Sequence, residues 1–223
     1  CAVRNGIKNI VFASSGRVYG DRSKAGGMHD KDGNYLNPGE DEYALNKIKV
    51  EEMLLQMAQK QHLKIAILRL GIVCWDGGGS GLGDMLKAAS KNGRFFTLAG
   101  KNPPVQLVHV YDVIDACRNA IGKEGIFDIV SADAMTMYDL FAEAAKLGGI
   151  NPRGVKLPEK PVVFLTSVLW TLGLMPVPPL YIKMYGYDIS RDAAKTAAVL
   201  NKPKYTIRQI LKAIVEGHAN KGN

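Results

Sequence analysis

Lys8-Asn9-Ile10-Val11-Phe12-Ala13-Ser14 is a short apolar run with β-branched and aromatic residues, and it reads as a buried strand ending at Ser14-Ser15. Lys64-Ile65-Ala66-Ile67-Leu68-Arg69-Leu70 reads the same way. Between them, Asp41 or Glu42 starts a helix with acidic residues in its first turn, and Ile48, Met53, Leu54, Leu55 and Met57 continue it to about Lys60. Strand, helix, strand implies a parallel pair with a right-handed crossover, hence an α/β fold. Ligands of open parallel sheets bind outside the carboxyl ends of the strands. Ser14-Ser15 and Arg69-Leu70-Gly71 lie at such ends, and the start of the helix faces the same rim.

That helix carries Tyr43-Ala44-Leu45-Asn46-Lys47 in its first turns. A Tyr and a Lys four apart share a helix face. An ammonium near a phenol favours the phenolate and lowers the tyrosine pKa from its free value of about 10. Such a tyrosine can exchange a proton near neutral pH. A serine hydroxyl at the neighbouring strand end, Ser15, is placed to hold a substrate oxygen against it.

Composition narrows the classes. A chain of 223 residues, 47% apolar, holds one large domain or two small ones. The net charge of +8 is scattered, with no long basic run and no interleaved aromatics, so it suggests an anionic small ligand and argues against nucleic acid. Cys1, Cys74 and Cys117 are far apart and lack C-x-x-C spacing, which fits a reducing compartment such as the cytoplasm. His29, His62, His109 and His218 show no ligand spacing, and no metal is expected. Cys1 to Gly6 reads as the last turn of a helix, so the chain is expected to begin mid-fold.

Elsewhere, residues 16–40 read as a long loop. Gly77 to Gly83 matches no phosphate-binding pattern and reads as a loop before a helix at Asp84 to Lys91. Strands are expected at Phe95 to Leu98, Val105 to Val110 and Gly125 to Val130. Helices are expected at Asp112 to Ile121, with Val113, Ile114, Ala116, Cys117 and Ala120 on the buried side, and from Thr136 to about Leu147, with Asp139 set for a capping box. Asp188 to Leu200 and Thr206 to Gly217 read as closing helices. Asn151 to Pro158 reads as a polar loop. Pro161 to Pro179 is the most apolar stretch, yet its uninterrupted part, Val162 to Met175, is shorter than the roughly 20 residues of a bilayer span. A buried helix or pocket wall is expected there, with interfacial membrane contact the lesser alternative.

Ile10 to Gly20, Tyr43-x-x-x-Lys47, Ile67-Leu68-Arg69 and Val108-His109-Val110-x-Asp112-Val113, in this order, resemble the extended short-chain dehydrogenase/reductases, the NAD-dependent epimerase/dehydratase group. The resemblance covers nearly the whole chain, most loosely its last third. It implies the C-terminal part of a Rossmann-like doubly wound parallel sheet, residues 1–75, and a small α/β substrate-binding domain rich in helices, residues 76–223, with 105–121 packing back on the first part. It implies Ser15, Tyr43 and Lys47 as catalytic residues. Cofactor contacts would come from Ser14, Tyr43, Lys47, Arg69, Gly71, Ile72 and Val73, and substrate contacts from Ser15, Gly16 and Arg17. His109 and Asp112 match a structural motif. The cofactor would be NAD or NADP, the partner a small-molecule substrate, the assembly compatible with a homodimer, and no integral membrane segment is expected.

The departures from the family pattern shape the rest. The strand, glycine-rich turn and helix of the dinucleotide fingerprint are not in these residues, so this chain alone is expected to bind NAD(P) weakly and to be inactive. Gly16-Arg17 replaces the Asp-Glu pair of the dehydratases. Val105 replaces a diphosphate-binding arginine of the UDP-sugar epimerases, and a second such arginine is not evident in Lys183 to Tyr187. The apolar Val162 to Leu180 stretch looks closer to the dihydroflavonol reductase and 3β-hydroxysteroid dehydrogenase-like branch. The reaction implied first is hydride transfer at an alcohol or ketone carbon with Tyr43 as acid and base. A nucleotide-sugar 4-epimerase and a non-catalytic binding module are the alternatives.

Overall fold

A computed structural model describes residues 3–21, 28–29, 35–36, 39–76, 81–175, 178–191 and 193–217. Strand β1 (Asn9–Ser15) leads into a single 3-10 turn at Gly16–Tyr19, where the sequence suggests only loop. Two short strands, β2 (Met28–His29) and β3 (Tyr35–Leu36), pair antiparallel in the same stretch. Helix α1 (Glu42–Gln61) starts where the acidic residues predict it: the Asp41 side chain accepts from the Ala44 N–H at 3.2 Å, filling one of the orphan donors of the first turn. The helix ends at His62, which adopts a left-handed backbone (φ 52°).

Strand β4 (Lys64–Leu70) returns parallel to β1, in a register that sets Ile10 beside Ile65 and Ser14 beside Arg69. Its side chains alternate between two apolar layers. Ile65 and Ile67 pack with Leu54 and Leu63 on the α1 side. Ala66 and Leu68 pack with Val108 and Ala116 on the other. This is why β4 reads as an unbroken apolar run: both of its faces are covered.

The chain continues through β5 (Ile72–Cys74), α2 (Gly81–Asn92), β6 (Arg94–Leu98), β7 (Pro104–Val105), β8 (Leu107–His109), α3 (Val110–Asn119) and β9 (Gly125–Ile129). Gly77 to Ser80 lie outside the described residues, so most of the glycine-rich loop does too. Strand β9 pairs with the free side of β4, giving a parallel order β1-β4-β9. Among the described residues β1 has a strand neighbour on one side only. The expected strand at 105–110 is instead two short ones, and α3 begins at Val110 because the His109 side chain caps it, accepting from the Tyr111 N–H. Ile114, expected on the buried side of α3, faces solvent.

After β10 (Met135–Thr136), α4 (Met137–Leu147) starts at Thr136, whose hydroxyl accepts from the Asp139 N–H. Then come β11 (Arg153–Leu157), α5 (Glu159–Thr171), α6 (Pro179–Met184), α7 (Ala194–Leu200) and α8 (Ile207–Glu216). A second core joins α2, α4 and α8 through Leu86, Leu140, Phe141, Ile210 and Leu211.

Two expectations fail here. The stretch taken as a polar loop contains β11, parallel to β6. Its Gly154 lies against the Phe95 ring, where a Cβ would come within 2.6 Å, so the residue that weakens the strand pattern is the one the packing needs. Helix α5, expected to be buried or to wall a pocket, has no buried residue at all.

Candidate active site

The rim at the carboxyl ends of β1 and β4 is built from the turn that follows β1. Ser15 ends the strand in an extended conformation, and its Oγ accepts from the Arg17 N–H at 3.2 Å. Gly20 closes the turn at φ 61°, a conformation that suits glycine. Val18 and Tyr19 are buried by this turn, which swings Arg17 back towards α1.

Arg17 is the hub of the site. Its Nε and Nη2 donate to the two Asp41 carboxylate oxygens at 2.7 and 2.8 Å, a bidentate pair. Its Nη1 donates to the Tyr181 hydroxyl at 3.1 Å. The guanidinium lies 4.8 Å from the Tyr43 ring centroid and 4.9 Å from that of Tyr181. Burial works against the Arg17 charge, but the bonds to Asp41 and Tyr181 outweigh it and hold its pKa above the ordinary value.

Tyr43 and Lys47 stand one helical turn apart beside it. Tyr43 is 47% exposed on the open rim. The Lys47 ammonium donates to the Ala13 carbonyl of β1 at 2.9 Å and lies 5.6 Å from the Tyr43 ring centroid. Ser15, Arg17, Tyr43 and Lys47 are thus linked through one turn and one helix start.

Beneath them is a buried polar layer. Arg69, among the largest fully buried side chains, pairs with Glu51 at 2.6 Å and donates from Nη1 to the Tyr19 hydroxyl at 3.1 Å. Ser14 donates to the same Glu51 carboxylate. Burial opposes the Arg69 charge, yet the bonds to Glu51 and the field of Tyr19 hold its pKa above normal. Arg69 and Ser14, expected at the cofactor, therefore have their side chains in the layer supporting the rim. Burial likewise raises the Tyr19 phenol, which donates to Asp128 at 3.0 Å. Gly71 crosses tightly over β9: its N–H donates to the Ile129 carbonyl at 2.9 Å, and a Cβ would come within 2.8 Å of Val130. Ile72 and Val73 follow on β5, half-buried and parallel to β8.

Four residues that join this site were not singled out from sequence: Glu51, Asp128, Tyr181 and Arg191. Arg191 donates from Nη2 to the Gly16 carbonyl at 2.7 Å and stacks on Tyr19 at 3.7 Å. Gln106 fixes its backbone, accepting from the Arg191 N–H at 2.6 Å. A second arginine was expected shortly before Asp188, whereas Arg191 lies just after it.

His109 and Asp112 hold structure together. His109 stacks on Tyr205 with centroids 4.1 Å apart. The Asp112 carboxylate accepts from the backbone N–H groups of Lys204 and Tyr205 at 2.8 and 3.2 Å. A cavity of about 240 Å³ opens beside them, between α3, the end of β9 and α7, and neither Ser15, Tyr43 nor Lys47 lines it. Among the described residues no group of three or more His, Cys, Asp or Glu is close enough to hold a metal ion. No described helix is long and apolar enough to cross a membrane.

Residues 1–129 match the model of the NAD dependent epimerase/dehydratase family. The uncharacterized protein y4nG of Sinorhizobium fredii (strain NBRC 101917 / NGR234) is 26% identical over 213 residues, which is 94% of this chain and 53% of that protein. The fold is similar to that of UDP-glucose 4-epimerase from Thermotoga maritima, solved with UDP-glucose, at a TM-score of 0.71 and 21% identity over 96% of this chain and 64% of that one. It is also similar to the Thermus thermophilus UDP-glucose 4-epimerase in complex with NAD, at a TM-score of 0.69 and 20% identity over 96% and 65% of the two chains. The chain spans about half the length of its curated relative and just under two thirds of these solved structures.

Proposed function

Because the chain belongs to the NAD dependent epimerase/dehydratase family, we propose that Ser15, Tyr43 and Lys47 perform the proton chemistry of an NAD(P)-dependent oxidoreductase acting at an alcohol or ketone carbon. The observation that carries this reading is the bond from Lys47 Nζ to the Ala13 carbonyl, at 2.9 Å. It fastens the Tyr43 helix to the end of the strand that bears Ser15.

The donor set fits the nicotinamide ribose end of the cofactor. An ammonium has three N–H donors, and Lys47 spends one on Ala13, leaving two for hydroxyl groups. Bound there, the dinucleotide supplies the two-electron donor or acceptor. Tyr43, half-exposed on the rim, takes a proton from the substrate hydroxyl or gives one to its carbonyl oxygen. Ser15 accepts from the Arg17 N–H through a lone pair, which leaves its own O–H to donate to the substrate oxygen. Lys47 sets a positive charge beside the phenol on which charge develops. Arg17 spends three of its five N–H donors on Asp41 and Tyr181, leaving two for a polar substrate group.

The test is Tyr43→Phe in the full-length protein. Turnover is expected to fall by roughly 10²-fold or more, with NAD(P) binding unchanged by calorimetry. Near-normal turnover removes Tyr43 from the role. Net oxidation or reduction of the cofactor supports the oxidoreductase, whereas retained cofactor with no net redox change marks a 4-epimerase. The 223-residue chain itself carries no dinucleotide fingerprint, and micromolar NAD(P) binding to it would contradict its placement as the proton-handling half of the site.

A further inference from the structure

From Pro161 to Ile182, 22 consecutive residues carry no charge. The structure turns its first part, from α5 to Leu174, outward, whereas Ile182 at its far end is buried. Phe164 is 72% exposed, Leu172 64% and Leu174 71%, with Leu165, Val168 and Trp170 exposed beside them. Even the inward residues of α5, such as Val162, Val163 and Leu169, are only half-buried. Isolated exposed apolar residues need no explanation, but a contiguous apolar patch marks a surface that something covers.

Two observations identify the cover. First, the hydroxyls of α5 are turned back on the helix. Thr166 donates to the Val162 carbonyl at 2.9 Å, Ser167 to Val163 at 2.7 Å and Thr171 to Ser167 at 2.9 Å. The hydroxyl protons of the helix are therefore satisfied within it, so an apolar surrounding costs them no hydrogen bond. Second, the charges flanking the stretch are of one sign. Lys156 and Lys160 precede it and Lys183 follows it, while the one acidic residue between Arg153 and Lys183, Glu159, is paired with Lys101 at 2.7 Å. Trp170, exposed, is of the residue type that settles at the level of lipid headgroups.

We propose that Phe164, Leu165, Val168, Trp170, Leu172 and Leu174 dock this protein on the surface of an anionic lipid bilayer. Helix α5 lies in the interface with its apolar stripe among the upper acyl chains, and the lysines lie against the headgroups. Its 13 residues are too few to cross. A second protein surface would leave the basic flanks without a role.

Flotation of the chain with phosphatidylcholine vesicles, with and without phosphatidylglycerol, tests this. The chain is expected to float with the anionic vesicles and to be released by salt. With Trp75→Phe leaving Trp170 as the remaining tryptophan, its emission should shift to the blue on binding. Phe164→Ser/Leu165→Ser should abolish flotation while keeping the parent's denaturation midpoint. Leu172→Ser/Leu174→Ser, beyond the end of the helix, gives the same readout should the first pair disturb folding. Lys160→Gln and Lys183→Gln should each weaken binding about fivefold. Failure to float, equal flotation on neutral vesicles, or undiminished flotation of both serine variants overturns the proposal. So does a dimer that the serine variants disperse, since the cover is then a second copy.

Discussion

The Arg17 guanidinium lies over the ring of Tyr43, 4.8 Å from its centroid, and is held there by Asp41, the residue that caps the Tyr43 helix. One carboxylate therefore both starts α1 and fixes the cation above its first exposed tyrosine. Asp41→Ala is expected to lose about 1–2 kcal/mol in urea denaturation, since a cap alone is worth about 1 kcal/mol. Asp41→Asn keeps a capping oxygen and should recover most of that stability. Equal loss in the two variants would show that the cap contributes little.

The buried pair of Glu51 and Arg69 offers a second test. Removing one partner leaves an uncompensated charge, so Glu51→Leu or Arg69→Met alone should destabilise by about 3–5 kcal/mol. The double variant should cost much less than the sum, because it buries no charge. Additive losses would mean that the partners act separately.

Stability should fall in alkali. Burial pushes the Tyr185 phenol up to about 12 from an ordinary value of about 10, so the unfolded chain releases its proton first. The associated stability is complete below pH 10 and is lost as pH rises towards 12, at most about 2–3 kcal/mol. Tyr19 shifts in the same direction and adds to the fall. Tyr185→Phe should flatten the decline measured by urea denaturation between pH 9 and 11. An unchanged slope would take Tyr185 out of it.

Hydrogen exchange should separate β1 from β4. Among the described residues, β4 is paired on both sides and β1 on one, and Ile7 just before β1 is 48% exposed. The β4 amides should be protected throughout, and those of β1 in alternation. Uniform protection along β1 would reveal a further strand on its outer edge.

What was legible in the sequence was local. Strand β4 and helix α1 follow from unbroken apolar runs, an acidic start and a turn of known chemistry. Tyr43 and Lys47 follow from a four-residue spacing. Strand β11 was hidden because the shape of the Phe95 ring, not local propensity, selects Gly154. Helix α5 was misjudged because hydrophobicity says that a segment avoids water, not what it meets instead. Arg69 carried a charge at a strand end, which suggests a ligand, yet its partner Glu51 sits on a helix whose pattern does not advertise it. Tyr181 and Arg191 reach the site from 164 and 175 residues away, and no spacing rule spans that distance.

Those two distances also set an order of assembly. Tyr43 and Lys47 can come together with β1 once residue 70 is made, since Phe12, Ala13 and Arg17, which they contact, lie before it. Arg17 and Gly16 must wait for Tyr181 and Arg191, in the last fifth of the chain. Closing so long a loop is among the slower events of folding. During synthesis Tyr43 is thus in place early, and the turn facing it gains its distant anchors only after residue 191 has been made.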